Sequence, residues 1–397
     1  MKSILTKTIL AICVLAMTSC SIIRALRTDG KDGPNIYSYQ KREVDTIANG
    51  EEVFVFPVGQ RADWIDSFYF FHKAHGCDSM TFLEAMSMKS NSQGLLIIHN
   101  DSIVYERYWG DFNADTYATI FSVSKSITSL MCGIAVDDGY IHSIDDPVTD
   151  YLPELKKKDP MWQKLTIRHL LDMKSGLDFE DTYEFTSWKD LKMLNAMARL
   201  NYGHNIRKQI KGLKFRCEPG TKRRYESMTS AILGVVIENA SGKRFADYLS
   251  EKVWQPLGME HYALINIDSH KHDMAHAFGG ITMTLRDLAK IGQLYLNYGL
   301  WEGKRIVREE WIRQTITFDE NSHGYHYNWY NISYEGYTRP EISGYYAYGI
   351  CAQTIYVNPY KNLVIVRMGS ANNGCAFLPV LFEQLSIVWI DVPDDAL

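Results

Sequence analysis

Residues 121–139 read Phe121-Ser122-Val123-Ser124-Lys125-Ser126-Ile127-Thr128-Ser129-Leu130-Met131-Cys132-Gly133-Ile134-Ala135-Val136-Asp137-Asp138-Gly139. Val123, Ile127, Leu130, Met131 and Ile134 recur at helical spacing, which predicts a buried helix that the Asp138-Gly139 pair ends. Ser122 and Lys125 open it three residues apart, so hydroxyl and ammonium share one face. The first turn also offers Ser122 unpaired backbone N–H groups and the positive end of the helix dipole, both of which favour a developing oxyanion. A serine activated by an amine is the chemistry this spacing suits.

Ser-x-x-Lys is a common pattern and occurs a second time, as Ser38-Tyr39-Gln40-Lys41, with no helical stripe after it. That copy is read as chance. Outward from the helix, Leu95 to His99 and Ser102 to Tyr108 are β-rich runs on either side of Asn100-Asp101, which predicts a hairpin. Thr354 to Val357 and Leu363 to Arg367 form a second pair around Asn358-Pro359, and Phe377 to Trp389 reads as an apolar helix with Pro379 in its first turn. Ser230 to Asn239 and Phe245 to Val253 also read as helices. Strands near both ends thus enclose a helix-rich middle. The expected class is α/β in the form of an α+β sandwich, an antiparallel sheet flanked by helices, with an α-helical insertion over about 130–225.

The 397 residues carry 42 Lys plus Arg against 47 Asp plus Glu, a net charge of −5, with 46% hydrophobic and 22% charged residues. This balance gives no electrostatic footprint for nucleic acid, and the composition suits a folded body with a substantial core. The basic stretch from Arg207 to Arg224 is interleaved with Gly and Pro and reads as a solvated loop face. His270, His272 and His276 cluster without the i, i+4 helical spacing of a zinc protease, so no metal and no other cofactor is expected. Beyond the first twenty residues, Cys77, Cys132, Cys217, Cys351 and Cys375 form an odd set without a C-x-x-C pair. They read as free thiols, with a single bridge left open.

The N-terminus differs from the rest. Lys2 and Lys7 precede the apolar run Ile9 to Met17, too short for a stable span, and Thr18, Ser19 and Cys20 follow. Residues 1–19 are read as an export signal. Cys20 in this context resembles the lipidated cysteine of a bacterial lipobox, with Met17 in place of the usual Leu. The expectation is a protein of the bacterial cell envelope, lipid-anchored through Cys20, with residues 20–50 as a tether and 51–397 as the folded domain; which membrane holds it stays open.

The segment around Ser122, then Asp145-Asp146-Pro147-Val148, Tyr151-Leu152-Pro153-Glu154-Leu155, Thr166-Ile167-Arg168-His169-Leu170-Leu171 and Ser175-Gly176-Leu177, resembles the serine β-lactamase-like, penicillin-recognising hydrolases. Pro219-Gly220 before Tyr225, Trp254-Gln255-Pro256-Leu257-Gly258-Met259, Gly279-Gly280 and Arg286-Asp287-Leu288-Ala289 continue the resemblance in order, over about residues 90 to 370. It implies the β-lactamase/transpeptidase-like fold, an acyl-enzyme on Ser122, and Lys125 and Tyr225 as its proton-transfer groups. The family's Tyr-x-Asn is Tyr225-Glu226-Ser227 here, which is similar to the amidase and esterase branch typified by 6-aminohexanoate-dimer hydrolase. Ser227 is expected to hydrogen-bond Lys125 or the substrate. Of the family's Lys-Thr-Gly, only Gly349 remains, in Ala347-Tyr348-Gly349, so its carboxylate-binding cation is missing; Lys174-Ser175-Gly176 stands too early in the chain to replace it. The resemblance places oxyanion donors at the backbone N–H groups of Ser122 and Ile350, and Tyr183 and Trp329 along the substrate cleft, while as aromatic residues these two fit the core or the surface as well.

A free lysine near pKa ~10.4 must drop by roughly 3 units, about 4 kcal/mol, to act as a base at neutral pH. Burial can supply that, and Lys125 with Tyr225 forms a coupled unit in which either group can hold the proton. Three functions fit: an amidase or esterase of small substrates, a β-lactamase or D-alanyl carboxypeptidase-like enzyme of cell-wall peptides, and a non-catalytic binding module. The full Ser, Lys, Tyr set argues against the third, and the lost cation against the second.

Overall fold

The computed structural model describes residues 20–31, 33–72, 77–181, 190–317, 324–332, 343–370 and 377–389. Strands are β1 Val44–Ile47, β2 Tyr69–His72, β3 Cys77–Thr81, β4 Ser92–His99, β5 Ser102–Tyr108, β6 Ala118–Thr119, β7 Ala263–Asn266, β8 Ile281–Met283, β9 Leu300–Trp301, β10 Lys304–Arg305, β11 Tyr325–His326, β12 Trp329–Asn331, β13 Tyr345–Gly349, β14 Gln353–Asn358 and β15 Leu363–Gly369.

The largest sheet runs β11-β12-β13-β14-β15-β4-β5, every pair antiparallel. Strands from early and late in the sequence therefore become neighbours in it, where β4 pairs with β15. The β4–β5 turn has Asn100 and Asp101 both at positive φ (49° and 61°), the twist-matched hairpin their composition predicts. Alternation along the strands explains why helices cover both faces. Leu96 and Ile98 of β4 and Val364 and Val366 of β15 enter one core with the middle helices, whereas Leu95, Ile97, Leu363 and Ile365 enter a second core under the helix Leu378–Val388.

The middle is helical as expected, and it runs on past Tyr225. The helix Val123–Asp137 packs against Ser227–Ser241, and the short helix Phe245–Leu249 leads to Trp254 before β7 begins. Every residue from Val123 to Ala135 is buried, and the polar ones are wired to neighbours: Ser126 Oγ donates to Asn328 O (2.7 Å) and Thr128 Oγ1 to Ala277 O (2.6 Å).

The expected tether over 20–50 needs correction. Its first part is the helix Cys20–Asp29, packed on the helix Asp190–Tyr202, and β1 pairs with β7 in a second sheet of order β1-β7-β8-β6. Polarity made this segment look solvated, but Arg24, Asp29 and Asp45 are held by partners far along the chain. The Asp29 carboxylate, its side chain 1% exposed, takes Arg42 Nη2 at 2.7 Å and the Tyr202 hydroxyl. Residues 1–19, read as an export signal, lie outside the described residues.

Candidate active site

Phe121 stands in the left-handed region at φ 46°, an unusual conformation for an aromatic residue, and it turns the chain from the end of β6 into the helix Val123–Asp137. Ser122 occupies the helix start, at the wall of a cleft of about 280 Å³ that Lys125, Ser227, Phe278 and Ile350 also line. Lys125 is 1% exposed. Its Nζ donates to Ser122 Oγ at 2.9 Å and to Phe278 O at 2.7 Å, and lies 5.0 Å from the centroid of the Tyr225 ring. The three groups singled out in sequence thus converge, Ser122 and Lys125 from one helix start and Tyr225 from the loop before a second helix.

Burial pushes the Lys125 ammonium down to about 8, while the Asp181 carboxylate opposes the fall. The Tyr225 phenol moves the other way. Burial raises it, and a hydrogen bond with Ser122 counters part of the rise. At neutral pH the phenol keeps its proton.

Asp181 was not foreseen. It accepts Ser227 N at 2.8 Å and Ser227 Oγ at 2.5 Å at the start of the helix Ser227–Ser241, so the Ser227 hydroxyl holds a carboxylate rather than Lys125, the first of its two expected partners, while the residue stays in the cleft wall. Burial raises the Asp181 carboxyl and the Lys125 charge lowers it. Its only sequence signal is the acidic pair Glu180-Asp181 just after Ser175-Gly176-Leu177, and nothing in spacing ties that pair to Ser227.

The strand β13 ends at Gly349 against the start of the serine helix. A Cβ at Gly349 would stand 2.6 Å from Ile120 O and 3.0 Å from Ser122 N, so glycine is required for this approach. Ile350 follows in the cleft wall. Neither the Ser122 nor the Ile350 amide donates a turn or loop hydrogen bond among the described residues. Backbone N–H groups at this point suit a developing oxyanion. The turn behind them holds Cys351 and Ala352 at positive φ (61° and 56°), and the buried Arg367 guanidinium braces it, donating to Cys351 O at 2.7 Å, Ala352 O at 2.8 Å and Ser92 Oγ at 2.9 Å. Arg367 looked like the end of a strand in sequence; its brace spans residues 92 to 367 and has no local signal.

Two expected cleft residues fall elsewhere or out of view. Trp329 is a core residue, fully buried with its ring 4.3 Å from Tyr295 and 5.4 Å from Tyr345, because β12 turns its face toward the helices. Tyr183 lies outside the described residues. The second Ser-x-x-Lys does not form a pair: Ser38 Oγ accepts Asn35 N at 2.9 Å while Lys41 is exposed. Ser175 of Lys174-Ser175-Gly176 donates to the buried Glu226 at 2.7 Å, a structural bond. His276 is buried and stacks on Phe278 at 5.1 Å, and burial pushes its imidazole down to about 3. Cys132 is a buried free thiol, the buried Cys351 Sγ donates to Ser370 O at 3.5 Å, and Cys20 is exposed at the first residue of its helix.

Comparison with known proteins agrees with this arrangement. The family model described as Beta-lactamase matches residues 85–379. The chain is 26% identical over 306 residues to 6-aminohexanoate-dimer hydrolase of Paenarthrobacter ureafaciens, covering 72% of this chain and 75% of that protein. A solved structure from Bacillus anthracis, provisionally described as a 6-aminohexanoate-dimer hydrolase, superposes with a TM-score of 0.75 at 21% identity, over 89% of this chain and 92% of that one. A penicillin binding protein from Bacillus halodurans gives 0.59 at 19% identity, over 76% and 98%. At those identities the two structures speak for the fold, the β-lactamase/transpeptidase-like one. The family match takes in well over half of the chain, and its span holds Ser122, Lys125 and Tyr225: the chain belongs to the Beta-lactamase family and is a serine hydrolase.

Proposed function

We propose that this enzyme cleaves an amide or ester bond of a small linear substrate through an acyl-enzyme on Ser122. The observation that carries the reading is the buried Lys125 Nζ donating to Ser122 Oγ at 2.9 Å with the Tyr225 ring 5.0 Å away. Ser122 Oγ attacks the carbonyl carbon and its proton passes to Lys125. Ser122 and Ile350 N–H groups hold the oxyanion, and collapse of the intermediate expels the amine or alkoxide, which takes a proton from Lys125 by way of Tyr225. Water then attacks the ester on Ser122, and the same groups run in reverse. With Lys125 at about 8, about a tenth of the amine is neutral at pH 7, roughly 300-fold more than for an unburied lysine.

The likeness to 6-aminohexanoate-dimer hydrolase supports an amidase or esterase. The absence of a cation in Ala347-Tyr348-Gly349 of β13 disfavours a substrate that must be held by its carboxylate, as in a β-lactamase or D-alanyl carboxypeptidase-like enzyme. Ser122→Ala is expected to abolish turnover of p-nitrophenyl acetate and labelling by a fluorophosphonate, with the melting temperature retained. Labelling that persists at another serine would refute the assignment, and nitrocefin turned over faster than simple esters would favour the second reading.

The export reading extends to Cys20 as the lipid-bearing residue of an envelope protein. Its exposure at the start of a helix leaves the thiol accessible. Cys20→Ser is expected to move the protein from the membrane to the soluble fraction and to remove incorporation of labelled palmitate; unchanged fractionation would exclude the anchor.

A further inference from the structure

Ser122 and Lys125 stand in a cleft whose other side is made by the helix Cys20–Asp29, through Ile22, Ala25 and Leu26, with Met197 and Ala198 of the helix Asp190–Tyr202 beside them. We propose that this N-terminal helix is the acyl-binding wall of the active site, and that the group transferred to Ser122 is a short to medium unbranched aliphatic acyl chain. The inference rests on the acyl-enzyme reading and adds the substrate class to it.

Three observations carry it. One cleft reaches from the serine to the helix, so a chain joined to the carbonyl can run along these side chains. Of the polar residues in the lining, Arg42 and the Tyr202 hydroxyl hold Asp29 and Asn201 Nδ2 donates to Met197 O at 3.0 Å, whereas Lys31 and the buried Asn266 Oδ1, unpartnered among the described residues, stand beside the wall; the wall itself, Ile22, Ala25, Leu26, Met197 and Ala198, is apolar. A charged or polyhydroxylated chain would lose its hydration here and find little in return, whereas a hydrocarbon chain gains. The third observation is size. A volume of about 280 Å³ is at the small end for ligand pockets, which suits a chain of a few methylenes better than a polymer.

The test compares kcat/KM of the full chain for p-nitrophenyl acetate, butyrate, hexanoate and octanoate with that of Leu26→Glu and Ala25→Trp. Leu26 is 57% exposed, so its replacement is compatible with folding, and melting temperatures check both variants. The parent is expected to gain up to about fourfold per added methylene until the cleft is full. The hexanoate-to-acetate ratio is expected to fall at least tenfold in Leu26→Glu, which sets a charge beside the chain, and in Ala25→Trp, which occupies its space. Turnover that needs Ser122 but is indifferent to chain length, or variants that keep the parent ratio, would overturn the wall alone. Failure to turn over any of the esters, or turnover that survives Ser122→Ala, would overturn the acyl-enzyme reading and the wall with it.

Discussion

Two helices face each other across the cleft, and they are held by different physics. Val123–Asp137 is buried from Val123 to Ala135, between the large sheet and its neighbouring helices, and its polar side chains are fixed by bonds to Asn328, Ala277 and Phe278. Cys20–Asp29 buries only Ser21 and leaves Leu26 more than half exposed; it is pinned chiefly through Arg24, Asp29, Arg42 and Tyr202. Reacting groups therefore sit on an element that can move only if the core does, whereas the opposite wall sits on one that a few polar contacts retain. Such a division allows substrate preference to change without disturbing proton transfer.

The largest effects are expected on the rigid side. Lys125→Met is expected to lower kcat by about 10² to 10⁴, the usual worth of a positioned proton carrier, while the melting temperature stays level or rises because a buried amine is replaced by a thioether of similar length. Retained activity in this variant would remove Lys125 from the proton path. Gly349→Ala comes next. Its Cβ meets Ile120 O and Ser122 N with no flexible atom to yield, so the oxyanion donors are pushed apart and kcat is expected to fall by about 10² to 10³ with a much smaller change in KM. Equal losses in kcat and 1/KM would point instead to a blocked cleft.

What could be read from sequence divides along the same line. The serine helix, both hairpins and the last helix were legible because apolar period and turn chemistry are local. Ser122 and Lys125 were legible for the same reason, three residues apart on one helix. Tyr225 was found through flanking residues that resemble a family. Asp181, the Arg367 brace and the packed N-terminal helix were not, because each depends on partners far along the chain: Ser227 for Asp181, Cys351 and Ser90 for Arg367, Arg42 and Tyr202 for Asp29. Trp329 was misplaced into the cleft for a related reason. Its aromatic character fits a substrate wall or a core equally well, and only the register of β12 decides.

The pH profile sharpens the comparison at smaller magnitude. A lysine acts as a base only when neutral, so with Lys125 near 8, kcat/KM is expected to rise with pH and level off above about 8. The Asp181 charge favours the ammonium and raises that midpoint. Asp181→Asn is thus expected to move the rise to lower pH and to increase the share of neutral amine at pH 7, at some cost in the placement of Ser227. A shift to higher pH would mean that Asp181 does not act on Lys125 through its charge.

The smallest effect concerns the clasp on the N-terminal helix. Asp29→Asn keeps the shape of the side chain but removes the charge that Arg42 and Tyr202 hold, in a site where the carboxylate is almost fully enclosed. Opening of 20–29 is then expected to become easier by about 1 to 3 kcal/mol, the usual range for removing one partner of a buried charged hydrogen bond. In amide hydrogen exchange, residues 20–29 should lose protection in the variant while 123–137 exchanges as in the parent. If both helices lose protection together, they unfold as one unit, and the wall is as rigid as the serine helix it faces.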